Sequence, residues 1–387
     1  MKRIAILLPG YLGGGAETVT DAIVSQLKHR GFEFILITSK LIEECRPKVE
    51  SLYDRVIVTE VQMDHVNLKT TRLLVDVVKP LKADIIWMLC CPYPNPGLLR
   101  SALNPGGKVV FHLHSIPYYE AMFKDHYVKM PDHGPNDYYR WYIYKHLKQK
   151  FLKIYTWRFR RLQAPFLREI DRYVVLCKGY ARTLRLMNPF MRRKFVTMYN
   201  PAPKSDCAVA PKRKELIFVG RLSHMDKRVD NLLKIFSLIT DKHPDWTLKI
   251  VGDGPDRANL ERMAADLGLE RVEFCGFSTN PAEHLKTASI LCLTSDLEGW
   301  GMVLIEAMQH GVVPIAFKCS DGVKEVLANG RGVLVSHKHR HAYARKLSKL
   351  MTDEALRRKI CSRHAEFLAE VNIDRVADRW EEFFNSL

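Results

Sequence analysis

The sequence predicts an α/β protein with two doubly wound parallel sheets, and three observations support this. The chain has 387 residues, 47% of them apolar, which is long for one domain and enough for two hydrophobic cores. Short apolar runs of buried-strand length recur along the chain, separated by stretches with helical character. A turn-rich, polar break from Met198 to Lys214 divides these runs into two sets.

The first set of runs begins a βαβ unit. The apolar run Lys2–Leu8 ends at Pro9-Gly10 and is followed by an amphipathic helix over about Glu17–His29. Further strands are predicted at Phe34–Thr38, Arg55–Val58, Ile85–Leu89, Lys108–Leu113 and Tyr173–Leu176. These elements predict an N-terminal domain of residues 1–200.

The loop after the first strand contains the glycines Gly13-Gly14-Gly15, followed by Ala16-Glu17. The run is not G-x-G-x-x-G, and no acidic residue follows at the spacing of an NAD ribose contact, so the pattern disfavours a dinucleotide site. A tight strand-to-helix turn with no ligand is one interpretation of the loop. A ligand contact is the other, and it depends on the resemblance described below.

The strand at Lys108 ends in Phe111-His112-Leu113-His114-Ser115. Because side chains alternate across a strand, His112 and His114 share one face. His114 stands at the carboxyl end, the edge at which open α/β sheets bind ligands. A histidine that only packs or caps is the alternative interpretation.

Positive charge is concentrated in the first half of the chain. Of the net charge of +17, residues 1–200 contribute 32 Lys and Arg against 17 Asp and Glu. Within a predicted helical insertion of about residues 116–170, Tyr139–Leu162 holds eight basic residues, eight aromatic residues and no acidic residue. Cationic stems and aromatic rings on shared helices favour an anionic membrane surface. A solvated helix whose charge is unused is the alternative, and no nucleic-acid partner is predicted because no recognised nucleic-acid fold accompanies the patch.

Neither a signal peptide nor a membrane-spanning helix is predicted from the sequence. Ile4–Leu8 is too short for a signal peptide, and no apolar run reaches the roughly 18 residues of a spanning helix. A cytoplasmic location is therefore predicted, at the inner face of the cytoplasmic membrane if the basic segment binds lipid. The nine cysteines show no C-x-x-C spacing, which predicts reduced thiols.

The second set of runs predicts a second doubly wound sheet in a domain of residues 201–370. Its strands are Leu216–Val219, Thr247–Val251, Val272–Cys275, Ile290–Thr294, Val313–Ala316 and Gly332–Val335. Helices are predicted between them and over about 340–387, where Ile373–Phe384 is amphipathic. Residues 371–387 form a last helix that could cross back to the first domain.

The segment from Ser295 to Gly311 reads S-D-L-E-G-W-G-M-V-L-I-E-A-M-Q-H-G, with Glu298 and Glu306 eight positions apart. It predicts a strand, a glycine-containing loop and a helix that begins at Met302. Met302 and Val303 place backbone N–H groups at the helix start, which attracts phosphate. Glu306, one turn further on, can accept two adjacent hydroxyls such as those of a ribose.

These elements resemble the donor site of the family 4 retaining glycosyltransferases of the GT-B fold, in which two Rossmann-like domains face a cleft. The resemblance rests on the E-x7-E spacing around E-G-W-G, and on further motifs in the same order: Gly220-Arg221-Leu222 with Lys227-Arg228, Val251-Gly252-Asp253-Gly254-Pro255, and Phe274-Cys275-Gly276-Phe277. It is strongest over about residues 215–335. It implies transfer of a sugar from a nucleoside-diphosphate sugar.

The resemblance also implies roles for individual residues. Arg221 and Lys227 would take the negative charge of the leaving diphosphate without a metal or other cofactor. Glu298 would bind donor-sugar hydroxyls, with His114 beside the sugar, and Glu306 would hold the ribose. The remaining donor contacts are assigned to Gly14, Gly15, Gly220, Gly252, Gly276, Phe277, Gly299, Trp300, Gly301, Met302 and Val303.

Several of these roles have alternatives. Arg221 and Lys227 could form surface ion pairs, and Trp300 could pack in its loop instead of stacking on the donor. Glu298 is disfavoured as a covalent nucleophile because the sequence shows no second carboxylate near it. Asp296-Leu297-Glu298 has the D-x-D form of a metal motif, but its place beside the helix favours a capping role for Asp296.

The function that follows is a retaining, metal-independent glycosyltransferase of envelope polysaccharide or lipopolysaccharide biosynthesis. A UDP-sugar is favoured as the donor, with a GDP-sugar second, and the acceptor is a saccharide or a lipid-linked saccharide. A catalytically silent nucleotide-sugar-binding protein of the same fold, or a sugar-nucleotide epimerase, is the alternative.

Overall fold

The structure, a computed structural model, describes residues 1–63, 67–90, 94–117, 163–203 and 210–387. The chain divides into two compact units. The first unit consists of Met1–Val175, Tyr180–Thr197 and Leu387, and the second of Leu176–Gly179 and Met198–Ser386. The basic aromatic segment Tyr139–Leu162 lies outside the described residues, so the predicted membrane helices stay a prediction.

Within the described part of the first unit, seven parallel strands form one sheet in the order β3-β2-β1-β4-β5-β6-β7. The strands are β1 Lys2–Leu8, β2 Phe32–Thr38, β3 Arg55–Val58, β4 Ile85–Leu89, β5 Lys108–Leu113, β6 Arg172–Val175 and β7 Phe195–Thr197. The helices are α1 Gly15–Leu27, α2 Arg46–Leu52, α3 Leu68–Val78, α4 Pro96–Arg100 and, beginning in the second unit, α5 Lys178–Met187. Residues 163–169 are also helical.

The second unit has a sheet of six described parallel strands in the order β10-β9-β8-β11-β12-β13. The strands are β8 Glu215–Val219, β9 Thr247–Val251, β10 Val272–Gly276, β11 Ile290–Leu293, β12 Val313–Phe317 and β13 Val333–Val335. The helices are α6 Val229–Ser237, α7 Arg257–Asp266, α8 Pro281–Thr287, α9 Met302–Gln309, α10 Asp321–Val326, α11 Arg340–Thr352, α12 Glu354–Cys361, α13 His364–Glu370 and α14 Ile373–Asn385.

The strands β4 and β11, in the middle of their sheets, are apolar along their whole length because helices cover both faces of a parallel sheet. Every residue of β4 and of β11 is buried. In the second unit, Phe218 and Ile250 of the sheet join Phe236 of α6 and Leu347 of α11 in one core cluster. The predicted fold class, with two Rossmann-like parallel-sheet domains, is therefore confirmed.

The predicted strands agree with the structure to within about two residues at each end, but β7 has no counterpart in the prediction. Phe195–Thr197 is only three residues long and directly follows Arg192-Arg193-Lys194, so its apolar run is too short to register. The last helix, α14, belongs to the second unit. Its packing on the first domain stays a prediction. In the described parts of the chain, no helix combines the length and the apolar character needed to cross a bilayer.

Candidate functional site

The predicted donor residues lie at the point where the second sheet reverses its strand order. Strands β9 and β10 continue on one side of β8, whereas β11, β12 and β13 continue on the other. Open α/β sheets bind ligands outside the carboxyl ends of the strands at such a switch point. Gly220 and Arg221 directly follow β8, and the loop that carries Glu298 follows β11. The two motifs on which the resemblance rests most are therefore neighbours in the fold.

Three of the predicted glycines form a closely packed backbone edge beside this point. The N–H of Gly220 donates to the carbonyl of Val251 (3.0 Å), and the N–H of Gly252 donates to the carbonyl of Gly276 (2.7 Å). Gly252 has φ of +137°, and a Cβ atom there would overlap the carbonyl oxygen of Gly220. The strand ends are thus held together by contacts that only glycine permits at Gly252. Phe277, which follows Gly276, is 76% exposed.

The predicted catalytic residues Lys227 and Glu298 are in direct contact. Lys227 Nζ lies 2.7 Å from Glu298 Oε2, and the two side chains are 22% and 14% exposed. Burial on its own would lower the pKa of Lys227, but the charge of Glu298, its hydrogen bond and the charge of Asp226 raise that pKa above its usual value. The ammonium group of Lys227 therefore stays protonated beside the carboxylate of Glu298 at the edge of the sheet.

Glu306 lies on α9 and is electrostatically coupled to Glu298. Burial, and then the charge of Glu298, raise the pKa of Glu306 above its usual value. The charge of Glu298 therefore acts on Glu306, and the two carboxylates of the E-x7-E motif are electrostatically coupled. Helix α9 begins after Gly301, which has φ of +85° and provides no side-chain cap. Because Gly301 has no side chain, it cannot cap the N–H groups of the first turn, which include those of Met302 and Val303.

Trp300 stands between Gly299 and Gly301 in the loop, and its indole is buried. The side chain is 2% exposed, and its ring stacks on Tyr199 with 5.1 Å between ring centroids. Phe367 of α13 lies on another side, at 6.4 Å. The ring therefore packs inside the second unit, and the donor-contact role assigned to Trp300 can fall only to its main chain.

Arg221 makes the ion pair that was its alternative role. Its Nη2 lies 3.0 Å from Asp226 Oδ2, and its side chain is 67% exposed. The main-chain carbonyl of Asp226 accepts the N–H of Asp296 at 2.9 Å, which ties the loop after β8 to the loop after β11. Arg221 is consequently placed at the rim of the switch point, while Lys227 lies further inside.

The capping role predicted for Asp296 is wrong. Its two carboxylate oxygens accept hydrogen bonds from Arg228 Nη1 (2.7 Å) and His337 Nε2 (2.9 Å). Arg228 has φ of +53° and also binds both oxygens of Asp230. Although burial opposes it, the hydrogen bond from His337 and the charge of Arg228 lower the pKa of Asp296 to about 2. The buried carboxylate therefore joins the starts of α6 and of the loop after β13.

Asp296→Asn should lower the free energy of unfolding by about 2 kcal/mol at pH 7, since the pKa falls from 3.8 to about 2 on folding. A carboxylate with a lowered folded pKa stabilises the protein above its unfolded pKa, and this contribution is lost as the pH falls. The difference between variant and wild type should therefore shrink between about pH 4 and pH 2. Urea unfolding across this range measures it, with exposed Asp266→Asn as the control. A loss independent of pH would contradict the charge-based explanation.

The remaining predicted residues lie in the first unit. His114 follows β5, and its ring centroid is 3.9 Å from that of His112, so the two histidines do share a face. Burial lowers the pKa of His114 to about 3, which keeps its imidazole neutral. Gly14 is the N-cap of α1, and Gly15 is its first residue, where an added Cβ would meet no atom within 4 Å. Their roles toward a ligand stay predictions.

Three further residues at the site were not predicted from the sequence, namely Asp226, His337 and Cys319, and Arg228 was noted only as part of the Lys227-Arg228 motif, without a role. Burial, and then the charge of Glu298, raise the pKa of the Cys319 thiol to about 12, so this thiol is protonated at neutral pH. Asp226 and Arg228 flank Lys227, and that run of three charged residues before a helix was the available signal. No local pattern indicated His337 or Cys319, because each reaches the site from the end of a different strand.

The fold and the site together define a class of protein with two Rossmann-like units and a charged switch-point site. The family model described as glycosyl transferases group 1 matches residues 204–366, and the model described as glycosyltransferase family 4 matches residues 13–204. The two matches together account for most of the chain. The chain belongs to this family of glycosyltransferases.

Individual proteins show the same relationship. An uncharacterized glycosyltransferase of Haemophilus influenzae is 30% identical over 197 residues, which cover 50% of this chain and 55% of that protein. A Campylobacter jejuni protein named as an α-1,4-N-acetyl-D-galactosaminyltransferase acting on an undecaprenol-diphosphate-linked saccharide is 29% identical over 62% of this chain and 66% of its own length. The matched stretches span from about half to two thirds of the length of these curated relatives. Anabaena HepE, solved with UDP and glucose, is 16% identical over the full length of both chains with a TM-score of 0.73, and it shows the shared GT-B fold.

Proposed function

We propose that the protein is a retaining, metal-independent glycosyltransferase that uses a nucleoside-diphosphate sugar, with UDP favoured over GDP as the nucleotide. The observation that carries the proposal is the contact between Lys227 and Glu298 at the switch point, with Glu306 close by. Lys227 is a protonated cation, Glu298 is a carboxylate paired with it, and both lie at the edge of the sheet where the loop leading to α9 begins. These groups suit the diphosphate, the sugar hydroxyls and the ribose of such a donor.

Transfer requires that negative charge be stabilised on the leaving diphosphate as the glycosidic bond breaks. Lys227, whose pKa is raised, supplies a positive charge in a partly buried position, and Arg221 supplies a second at the rim. The start of α9 adds backbone N–H groups and a favourable dipole. Glu298, paired with Lys227, would accept hydrogen bonds from sugar hydroxyls. Retention follows if the acceptor hydroxyl attacks from the face of the leaving group.

The proposal that no metal is needed is supported by the side chains that already bind the two carboxylates of Asp296-Leu297-Glu298. Asp296 is bound by Arg228 and His337, and Glu298 is bound by Lys227. Both carboxylates are therefore already neutralised by cationic or hydrogen-bonding side chains. A metal ion would have to displace these partners, so the charge of Lys227 and Arg221 is the better candidate for balancing the diphosphate.

The acceptor is proposed to be a saccharide, in particular a lipid-linked one, in envelope polysaccharide or lipopolysaccharide biosynthesis. The Campylobacter jejuni relative is named for transfer to an undecaprenol-linked saccharide, and a Salmonella typhimurium relative, 32% identical over 34% of this chain, is named as a lipopolysaccharide 1,6-galactosyltransferase. An acceptor in the membrane would place the protein on the inner face of the cytoplasmic membrane. The basic segment Tyr139–Leu162 would then contact anionic lipid.

The proposal is tested by thermal unfolding with UDP, GDP, ADP, CMP and their common sugars, without and with EDTA. A ligand that binds only the native state raises the melting temperature, by an amount that follows RT ln(1+[L]/Kd). We expect a rise with one nucleoside diphosphate that EDTA does not remove. A rise that EDTA abolishes would refute metal independence, and no rise with any nucleotide would refute the donor class.

Glu306→Gln should weaken binding of that nucleotide about tenfold or more, because a charged acceptor for two ribose hydroxyls becomes a neutral one. The substitution keeps the size of the side chain and removes an unfavourable buried charge, so the melting temperature of the free protein should not fall. Isothermal titration calorimetry measures the affinity of the variant and of wild type for the nucleotide. Glu283→Gln, at a carboxylate of α8 that pairs with Lys286, is the matched control. Equal affinity in the Glu306 variant and the control would remove Glu306 from the site.

Two alternatives are a silent nucleotide-sugar-binding protein and a sugar-nucleotide epimerase. A silent protein would show the nucleotide-dependent rise in melting temperature but no transfer or hydrolysis of the donor with any acceptor. An epimerase would convert the sugar of the donor without an acceptor. Product analysis by mass spectrometry and chromatography separates these outcomes from transfer.

A further inference from the structure

A surface of the first unit combines exposed apolar side chains with arginines. It lies at the end of α5 and in the turn Pro189–Lys194 that follows. Phe190 is 97% exposed and Leu186 is 66% exposed, among the largest exposures of apolar side chains in the described residues. We call it the arginine–phenylalanine surface, and it consists of Arg182, Arg185, Leu186, Phe190, Arg192 and Arg193.

Helix α5 explains why these side chains face solvent. One face of the helix buries Tyr180, Ala181 and Leu184, which leaves Arg182, Arg185 and Leu186 on the other. The helix ends where the N–H of Asn188 donates to the carbonyl of Leu184 (2.9 Å) and Pro189 begins the turn.

The turn that carries Phe190 is firmly attached to the rest of the unit. Lys194 Nζ donates to the carbonyls of Leu167, Arg168 and Ile170, at 2.9, 2.7 and 2.6 Å. Arg185 Nη2 donates to the carbonyl of Phe195 at 2.7 Å. Phe190 is thus presented on an anchored turn, and among the described residues its side chain remains almost fully exposed, at 97%.

The charge of this surface has one sign. From Arg172 to Lys194 the sequence contains no Asp or Glu, whereas residues 182–194 contain Arg182, Arg185, Arg192, Arg193 and Lys194. Lys194 and Arg185 donate to the carbonyls described above, which leaves Arg182, Arg192 and Arg193 as the surface arginines with no such bond in the described part of the chain. A cluster of cations around a protruding aromatic ring matches the headgroup region of an anionic bilayer, where phosphates lie next to the acyl boundary.

We propose that the arginine–phenylalanine surface docks the protein on an anionic lipid bilayer, with Phe190 and Leu186 entering the acyl boundary and the arginines binding headgroup phosphates. It rests on the proposed function and deepens it, since it gives an enzyme for lipid-linked acceptors a membrane contact within the described residues, in addition to the contact proposed for Tyr139–Leu162. Single-stranded nucleic acid fits less well because its binding sites stack successive bases on several aromatic rings, and this surface has one.

The test is co-sedimentation of the full chain with vesicles of phosphatidylglycerol and phosphatidylcholine, compared with vesicles of phosphatidylcholine alone. Each arginine near an anionic leaflet contributes about a fivefold factor in binding, so the double variant Arg192→Gln with Arg193→Gln should bind about 25-fold less. Phe190→Ser should bind about tenfold less, because an inserted aromatic ring is lost. High salt should weaken wild-type binding by screening the arginines.

Two controls match these changes: Leu267→Ser, an exposed leucine next to Asp266, and Arg358→Gln, an exposed arginine of α12. Neither should alter vesicle binding. The proposal would be overturned if the wild-type protein did not bind anionic vesicles. It would also be overturned if the Phe190 and arginine variants bound them as well as wild type does. The proposal would also be overturned if the double arginine variant lost binding to a DNA oligonucleotide while its binding to vesicles stayed unchanged.

The nucleotide-dependent melting shift, measured on the same preparations, separates this proposal from the proposed function. A normal shift in variants that have lost vesicle binding supports both. If wild type shows no shift with any nucleotide but its vesicle binding still depends on Phe190, the donor class fails and the membrane surface stands.

Discussion

Replacement of Lys227 by Met should lower kcat of sugar transfer by about a hundredfold to a thousandfold. The ammonium group lies 2.7 Å from Glu298, and its raised pKa keeps it charged at neutral pH. Removal of one preorganised charge-stabilising donor from an active site typically costs a factor of this size. The variant would also leave the carboxylate of Glu298 partly buried without its partner, so a lower melting temperature is expected as well. Steady-state kinetics with the donor identified by thermal shift measure the first effect.

A stability loss and a catalytic loss can be separated with two further variants. Lys227→Arg keeps the positive charge and should recover part of kcat. Lys234→Met removes a more exposed lysine of α6 that pairs with Asp230, and it should leave kcat unchanged. If Lys227→Met and Lys234→Met had equal kcat, Lys227 would have no role in stabilising the leaving group.

Gly252→Ala should destabilise the second unit by about 3 kcal/mol or more. The residue has φ of +137°, a region that other residues rarely adopt, and its Cβ would overlap the carbonyl oxygen of Gly220. Relief of the overlap requires β8 and β9 to separate at their carboxyl ends, which breaks the bond from Gly220 N–H to the carbonyl of Val251. Thermal unfolding followed by circular dichroism measures the loss, and nucleotide binding should disappear with it.

The matched control is Gly268→Ala. Gly268 also has a positive φ, of +65°, but a Cβ there would meet no atom within 4 Å. Its replacement should cost only about 1 kcal/mol, the backbone term alone. Equal melting temperatures for the two variants would show that the overlap of an added Cβ at Gly252 with Gly220 does not lower the free energy of unfolding.

The family, the fold class and most strands could be predicted from the sequence because the signals are local. An apolar run such as Ile85–Leu89 is a complete strand in itself, and the E-x7-E motif keeps its spacing in the loop and helix that carry it. The three residues of β7 form a strand only because β6 offers an edge with which to pair. Short strands of this kind depend on tertiary contacts that no short stretch of sequence encodes.

The charge partners at the site were the least predictable part. The sequence predicted that Asp296 caps a helix because it lies just before α9 in the chain. Its actual partners, Arg228 and His337, are 68 and 41 residues away in sequence. Arg228 reaches it from a left-handed conformation, which the sequence around it does not indicate because no glycine or asparagine stands there. Partnerships between side chains distant in sequence follow from the register of neighbouring strands, which periodicity does not reveal.

The second unit is not continuous in the chain, and this limits how the protein can be dissected. Leu176–Gly179 belongs to it, although the segment precedes Met198 by almost twenty residues of the other unit. The carboxylate of Glu325 accepts the N–H groups of Lys178 and Gly179 at 3.1 and 3.2 Å and the hydroxyl of Tyr199 at 2.7 Å. A fragment that starts at Met198 would therefore lack two of the three donors to this carboxylate. The second unit is accordingly completed by residues at the start of α5, and a fragment cut at Met198 would lose the contacts that these residues make with Glu325.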